Sequence, residues 1–150
     1  MALKLILKEA HSDTAEGVLT DTLVQGVALY VSPLALAEVT DVLLQRVRRG
    51  VRSAAEVQRA LADFLQLPLQ HAHPAGLYEH ALAFALTSQL RSAYDTTSVV
   101  LARLLEVPHW TADLHLITTL GGAASWVRWI GDYPLPGTEV SPRDAHTLRR

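Results

Sequence analysis

Three carboxylates occupy positions where their chemistry matters. Glu38 interrupts the otherwise apolar run Leu34-Ala35-Leu36-Ala37-Glu38-Val39, Asp95 heads the helix that opens Ser92-Ala93-Tyr94-Asp95, and Asp113 follows Trp110-Thr111-Ala112. A carboxylate set in apolar sequence is costly unless it is paired or bound to a metal, which makes Glu38 hard to read as mere surface. Asp95 and Asp113 fall at expected helix starts, where Asp is a good N-cap and suits the helix dipole, so capping is the plain alternative for both. His71 and His73 lie one residue apart and would share a face on a strand, but no third ligand accompanies them. Cys is absent, which excludes a disulfide framework and a thiolate metal site. There is no Gly-rich phosphate loop, no Gly-x-Ser-x-Gly elbow and no helical histidine pair with a neighbouring Glu.

The elements that position these side chains follow from periodicity and punctuation. Residues 2–9 have helical composition. His11-Ser12-Asp13 offers N-cap candidates for a helix over 14–25 that Gly26 ends. Residues 27–31 form a β-branched and aromatic run bounded by Gly26 and Ser32-Pro33, which predicts a buried strand. Ser32-Pro33 then reads as N-cap and N1 of a long helix with an apolar stripe of Leu36, Val39, Leu43, Leu44 and Val47, stopped by Gly50. Ser53 opens the next helix, which closes before Pro68, and residues 69–73 are a short extended segment. A helix from Pro74 to about Arg91 is followed by another from Ala93 to near Val107-Pro108. His109-Trp110-Thr111 ends a strand, residues 113–120 form a short helix broken by Gly121-Gly122, and residues 125–130 form a last strand. Strands alternating with helices predict a mostly parallel sheet covered by helices.

With 150 residues, 49% of them hydrophobic and 19% charged, the chain fits a single domain with its own core. The apolar stretch at the amino end is too short and too interrupted for a membrane span or a signal peptide, so a soluble, cytoplasmic protein is expected. A net charge of −2 means that any nucleic-acid binding must come from local patches. The densest is Arg46, Arg48, Arg49 and Arg52, for which a solvated helix end is the plain reading.

The combination of motifs resembles the PIN-domain family, and within it the VapC-like toxins. The stretch Ser92-Ala93-Tyr94-Asp95, then Leu101-Ala102, Val107-Pro108, Thr111-Ala112-Asp113 and Leu116, is similar to the carboxyl-terminal half of that family. Upstream, Val31-Ser32-Pro33-Leu34 and Ala37-Glu38-Val39 resemble its second acidic motif. The resemblance implies a PIN-like three-layer α/β/α fold with a mostly parallel central sheet over residues 1–133, followed by a flexible tail at 134–150. It also implies a ribonuclease that uses Mg2+ or Mn2+ held by Glu38, Asp95 and Asp113. Thr111 would hydrogen-bond within that acidic centre. Hard divalent cations prefer oxygen ligands, can generate a hydroxide nucleophile and can stabilise charge on phosphate. The partners implied are an RNA substrate, a small antitoxin protein bound over apolar helix surface at 14–25 and 53–66, and a second copy in a homodimer.

The sequence departs from the family at its start. PIN domains begin with a strand ending in Asp, whereas this chain opens Met1-Ala2-Leu3-Lys4-Leu5 with no strand or Asp before it, and Asp13 comes too late to serve. The expectation is that the true frame extends upstream, and that the chain as written lacks a central strand, leaving neighbouring edges unpaired. A non-catalytic PIN-like interaction module is the alternative function. A nuclease of the same fold acting on structured DNA is a further one, for which no added nucleic-acid arm is evident.

Overall fold

The structure, a computed structural model, describes residues 2–88, 90 and 93–135. A 3-10 turn at Ala2–Leu5 leads into α1 (Ser12–Val24), β1 (Leu29–Val31), α2 (Ala35–Arg48), α3 (Ala54–Gln66), β2 (Leu69–His71) and α4 (Leu77–Ser88). Then come α5 (Ala93–Leu104), β3 (His109–Thr111), α6 (Leu114–Leu120), a 3-10 turn at Gly121–Ala124, β4 (Val127–Trp129) and a final 3-10 turn at Ile130–Asp132. The chain is thus a mixed α/β protein with short strands. The tail expected from Pro134 lies, from residue 136 onward, outside the described residues, as does Arg91 at the expected end of α4.

Pairing is parallel, as the alternation of elements predicts. Leu29 and Val31 of β1 face Leu69 and His71 of β2, while His109 and Thr111 of β3 face Val127 and Trp129 of β4. Parallel neighbours need long crossovers, which α2 and α3 supply for the first pair and α6 for the second. The expected continuous central sheet is not formed: among the described residues the strands make two separate two-stranded ribbons.

Glycine fixes two helix ends as expected. Gly26 and Gly50 take left-handed backbone at φ 65° and 67°. Val27 N–H then reaches back to Thr22 O at 2.9 Å and Val51 N–H to Arg46 O at 2.9 Å, closing Schellman-type ends. This use of Val27 is why the first strand starts at Leu29 and not at Val27. Other boundaries also differ from expectation, among them α5, which ends at Leu104, and β4, which spans only Val127–Trp129. The amino-terminal helix stops at Leu5 because Ser12 Oγ donates to Leu7 O at 3.0 Å and accepts from Glu9 N–H at 2.9 Å, folding the chain back. Ser32-Pro33 is not N-cap and N1: Ala35 N–H donates to Ser32 O, Leu34 precedes the helix with helical backbone, and Ser32 is buried. Pro74 likewise forms a turn, with Gly76 at φ 76°, so α4 begins only at Leu77.

The core has three linked parts. Val39 and Leu43 of α2 pack on Ala60 and Phe64 of α3, with Ile6, Leu7 and Leu69 against them. Leu36 and Leu44 remain exposed, so the buried stripe on α2 is narrower than the sequence implies. Leu77 and Ala81 of α4 meet Val100 and Leu101 of α5, and Val99 of α5 turns toward Leu116, Leu120 and Ala124. Burying each such Leu contributes about 2 kcal/mol. Ser53 caps α3 through a reciprocal box with Glu56, whose carboxylate accepts from Ser53 N–H at 2.7 Å.

The last described turn is tied to α1 by Tyr133, whose hydroxyl donates to Asp21 Oδ2 at 2.7 Å. Partial burial, the hydrogen bond to Asp21 and its charge push the phenol up to about 12. Gly17 lets this segment close on α1, since a Cβ there would meet Leu135 Cδ2 at 2.6 Å. Tyr133→Phe should therefore destabilise the fold by about 1.5–3 kcal/mol, the net worth of a hydrogen bond to a charged acceptor. Urea denaturation checks this, and Asp21→Asn in the same background should add much less than it costs alone.

Candidate functional site

Glu38, Asp95 and Asp113 arrive from three different elements. Glu38 is in the first turn of α2, which follows β1. Asp95 is in the first turn of α5. Asp113 follows β3 by two residues and caps α6, its Oδ1 accepting from His115 N–H at 2.8 Å and Leu116 N–H at 3.1 Å. Thr111, buried at the end of β3, accepts the Asp113 N–H on its Oγ1 at 3.1 Å. It thereby sets the backbone from which the cap side chain projects.

The charges of these groups reach one another in sequence. Glu38 is raised above its ordinary value by burial and next by the charge of Asp95, against the lowering influence of the chain's amino terminus. Asp95 is raised by burial and next by the charge of Asp113, offset in part by His115. Asp95 is thus the middle member, coupled to both of the others. All three side chains nevertheless keep substantial contact with solvent.

Asp113 Oδ1 is committed to two backbone amides, and among the described residues no three acidic or histidine side chains converge tightly enough to hold a metal ion by themselves. His71 and His73 form no such group either, and the His73 ring instead packs near Tyr78 at 5.1 Å.

Glu38, alone of the three carboxylates, borders a cavity of about 320 Å3. The rest of its lining comes largely from β1, β3, α1 and α5. His109 of β3 also lines it and was given no role by the sequence. Burial, followed by the positive amino terminus, brings its pKa down to about 4, so the ring is neutral at physiological pH. The available signal was strand alternation, which puts His109 on the same face as Thr111. On the flank of β3, Arg128 stacks over Trp110 at 5.5 Å and Arg103 over Trp126 at 5.4 Å. In the expected basic patch, Arg46 pairs with Glu9 and Arg52 with Glu56, so two of its four cations are engaged within the fold.

No protein-family model matches the chain, and no curated protein matches it.

Proposed function

We propose that the chain is a PIN-like, metal-dependent endoribonuclease domain, with Glu38, Asp95 and Asp113 as its acidic centre. The observation that carries this reading is the electrostatic coupling of these carboxylates, which lie far apart in sequence and come from three elements. Helix capping alone gives no reason for Asp95 to raise Glu38 or for Asp113 to raise Asp95. The parallel strands among helices agree with a three-layer α/β/α arrangement.

A bound Mg2+ or Mn2+ would supply a hydroxide nucleophile and neutralise charge developing on the phosphate. The chain's own part would be to present the carboxylate oxygens of Glu38, Asp95 and Asp113, with Thr111 fixing the turn that carries Asp113. RNA is the substrate of this reading, and a small antitoxin protein and a second copy are its protein partners. Tyr78, Leu82 and Leu86, exposed at helical spacing on α4, offer apolar surface for such a partner.

The alternative, a non-catalytic PIN-like interaction module, is favoured by the lack of a tight acidic triad among the described residues. Cleavage of end-labelled RNA with Mg2+ or Mn2+, by the native chain and by Asp95→Asn, separates the two. Metal-dependent cleavage lost in the variant supports the nuclease, while equal signal from both proteins removes it. No TM-type segment enters either reading: no helix among the described residues is long and apolar enough to cross a membrane.

A further inference from the structure

A second pocket, of about 290 Å3, lies where α5 runs into β3, lined by Arg103, Glu106, Val107, Pro108, Trp126 and Arg128. Pro108 precedes β3 whereas Asp113 follows it, so this pocket and the acidic centre stand at opposite ends of that strand. Both arginines are exposed, and among the described residues neither forms an ion pair. Each is instead braced on an indole ring. Arg103 lies over Trp126, whose Nε1–H donates to Val99 O at 2.9 Å and so fixes the ring against α5. Arg128 lies over Trp110, its register partner across β3 and β4, and the Trp110 ring is set edge-on to Tyr133 at 5.0 Å. An aromatic platform restrains a long side chain before any ligand arrives and leaves the planar donor fork free for oxygen acceptors. Two like charges that share one pocket repel each other, and an anion between them removes that cost.

We propose that this pocket binds a terminal phosphate group, as inorganic phosphate or a phosphate monoester, between the donor forks of Arg103 and Arg128. A monoester at neutral pH carries about two negative charges and three acceptor oxygens, enough to occupy two forks at once. A phosphodiester offers a single charge on two free oxygens, and a carboxylate is satisfied by one fork. Glu106 shares the lining and offsets one of the two cations, so diffuse attraction is weak. The match of donors to oxygens then decides which anion stays. Val107, Pro108 and Trp126 add an apolar margin for the uncharged remainder of a monoester. The site is separate from the carboxylates and stands whether or not metal-dependent cleavage does.

Calorimetric titration of the full chain with inorganic phosphate and with adenosine 5′-monophosphate, in EDTA and at fixed ionic strength, tests the site without metal. One-to-one binding with a Kd of about 1 mM or tighter is expected for both, with adenosine alone inert. Arg103→Ala and Arg128→Ala should each weaken binding at least about tenfold. Arg103→Lys should restore little of it, because an ammonium offers no planar fork. Glu106→Gln should strengthen binding several-fold, and this gain reads the site even where an arginine variant folds poorly. Arg49→Ala, which removes an exposed cation elsewhere, should leave it unchanged. No saturable binding, an equal loss in Arg49→Ala, or native affinity in Arg103→Lys overturns the proposal. Displacement of inorganic phosphate by an oligonucleotide without terminal phosphates, at lower concentration than adenosine 5′-monophosphate needs, would assign the pocket to a phosphodiester backbone and overturn the terminal-phosphate source.

Discussion

On the proposed nuclease reading, Asp95→Asn should reduce divalent-cation-dependent RNA cleavage by roughly a thousandfold, equivalent to about 4 kcal/mol of transition-state stabilisation. Without metal, the same substitution should make the folded protein slightly more stable. Asp95 carries its charge in a partly buried position against Asp113 and within reach of Glu38, so the neutral amide relieves repulsion on two neighbours. The gain is a few tenths of a kcal/mol, because solvent screens groups this accessible. The sign with pH follows from raised acid pKa values. The folded state holds these protons more tightly than the unfolded chain, so native stability from this source rises as pH falls through the folded values toward 3.8 and 4.5. The variant's advantage should therefore be present at neutral pH and disappear in acid. Mg2+ should reverse the order at neutral pH by raising the Tm of the native chain more than that of the variant. A purely structural Asp95 would show lower variant stability with or without metal, and that pattern would count against a cation centre.

His109 should impose the steepest acid dependence on the fold. Its folded pKa of about 4 lies below the ordinary 6.5, so between these values the unfolded chain binds a proton that the folded chain excludes. Stability must fall as pH drops through that window, and about 3 kcal/mol is lost by its lower end. The raised Glu38 and Asp95 act in the opposite sense toward the lower end of this range. His109→Leu isolates the histidine contribution, because the carboxylates remain in both proteins. Denaturation between pH 7 and pH 4 should show a slope in the native chain that the variant largely loses. Parallel curves for the two proteins would mean that the ring is freely protonated in the fold.

Both outcomes depend on features of very different legibility in the sequence. The order of helices and strands, the stops at Gly26 and Gly50, the opening of α3 at Ser53 and the parallel type of pairing are local matters. Spacing, backbone permissiveness and crossover length decide them within a few residues. The displaced starts of α2 and α4 show the limit even of local reading. Pro33 and Pro74 were compatible with a first helical turn, but the carbonyls of Ser32 and Pro74 accept turn hydrogen bonds instead.

Tertiary structure alone decided the rest. Asp113 was readable as an N-cap and is one, but that its charge reaches Asp95, and that of Asp95 reaches Glu38, depends on how α2, α5 and α6 are brought together. The link from Tyr133 to Asp21 spans most of the chain, and no local pattern announces it. His109 looked like an ordinary strand residue until packing removed most of its water. The cavity between β1 and β3 likewise became visible only once the strands and the helices α1 and α5 were placed around it. Local propensity is set by neighbours along the chain. Burial, charge coupling and unfilled space are set by segments that sequence separation keeps apart until the core condenses.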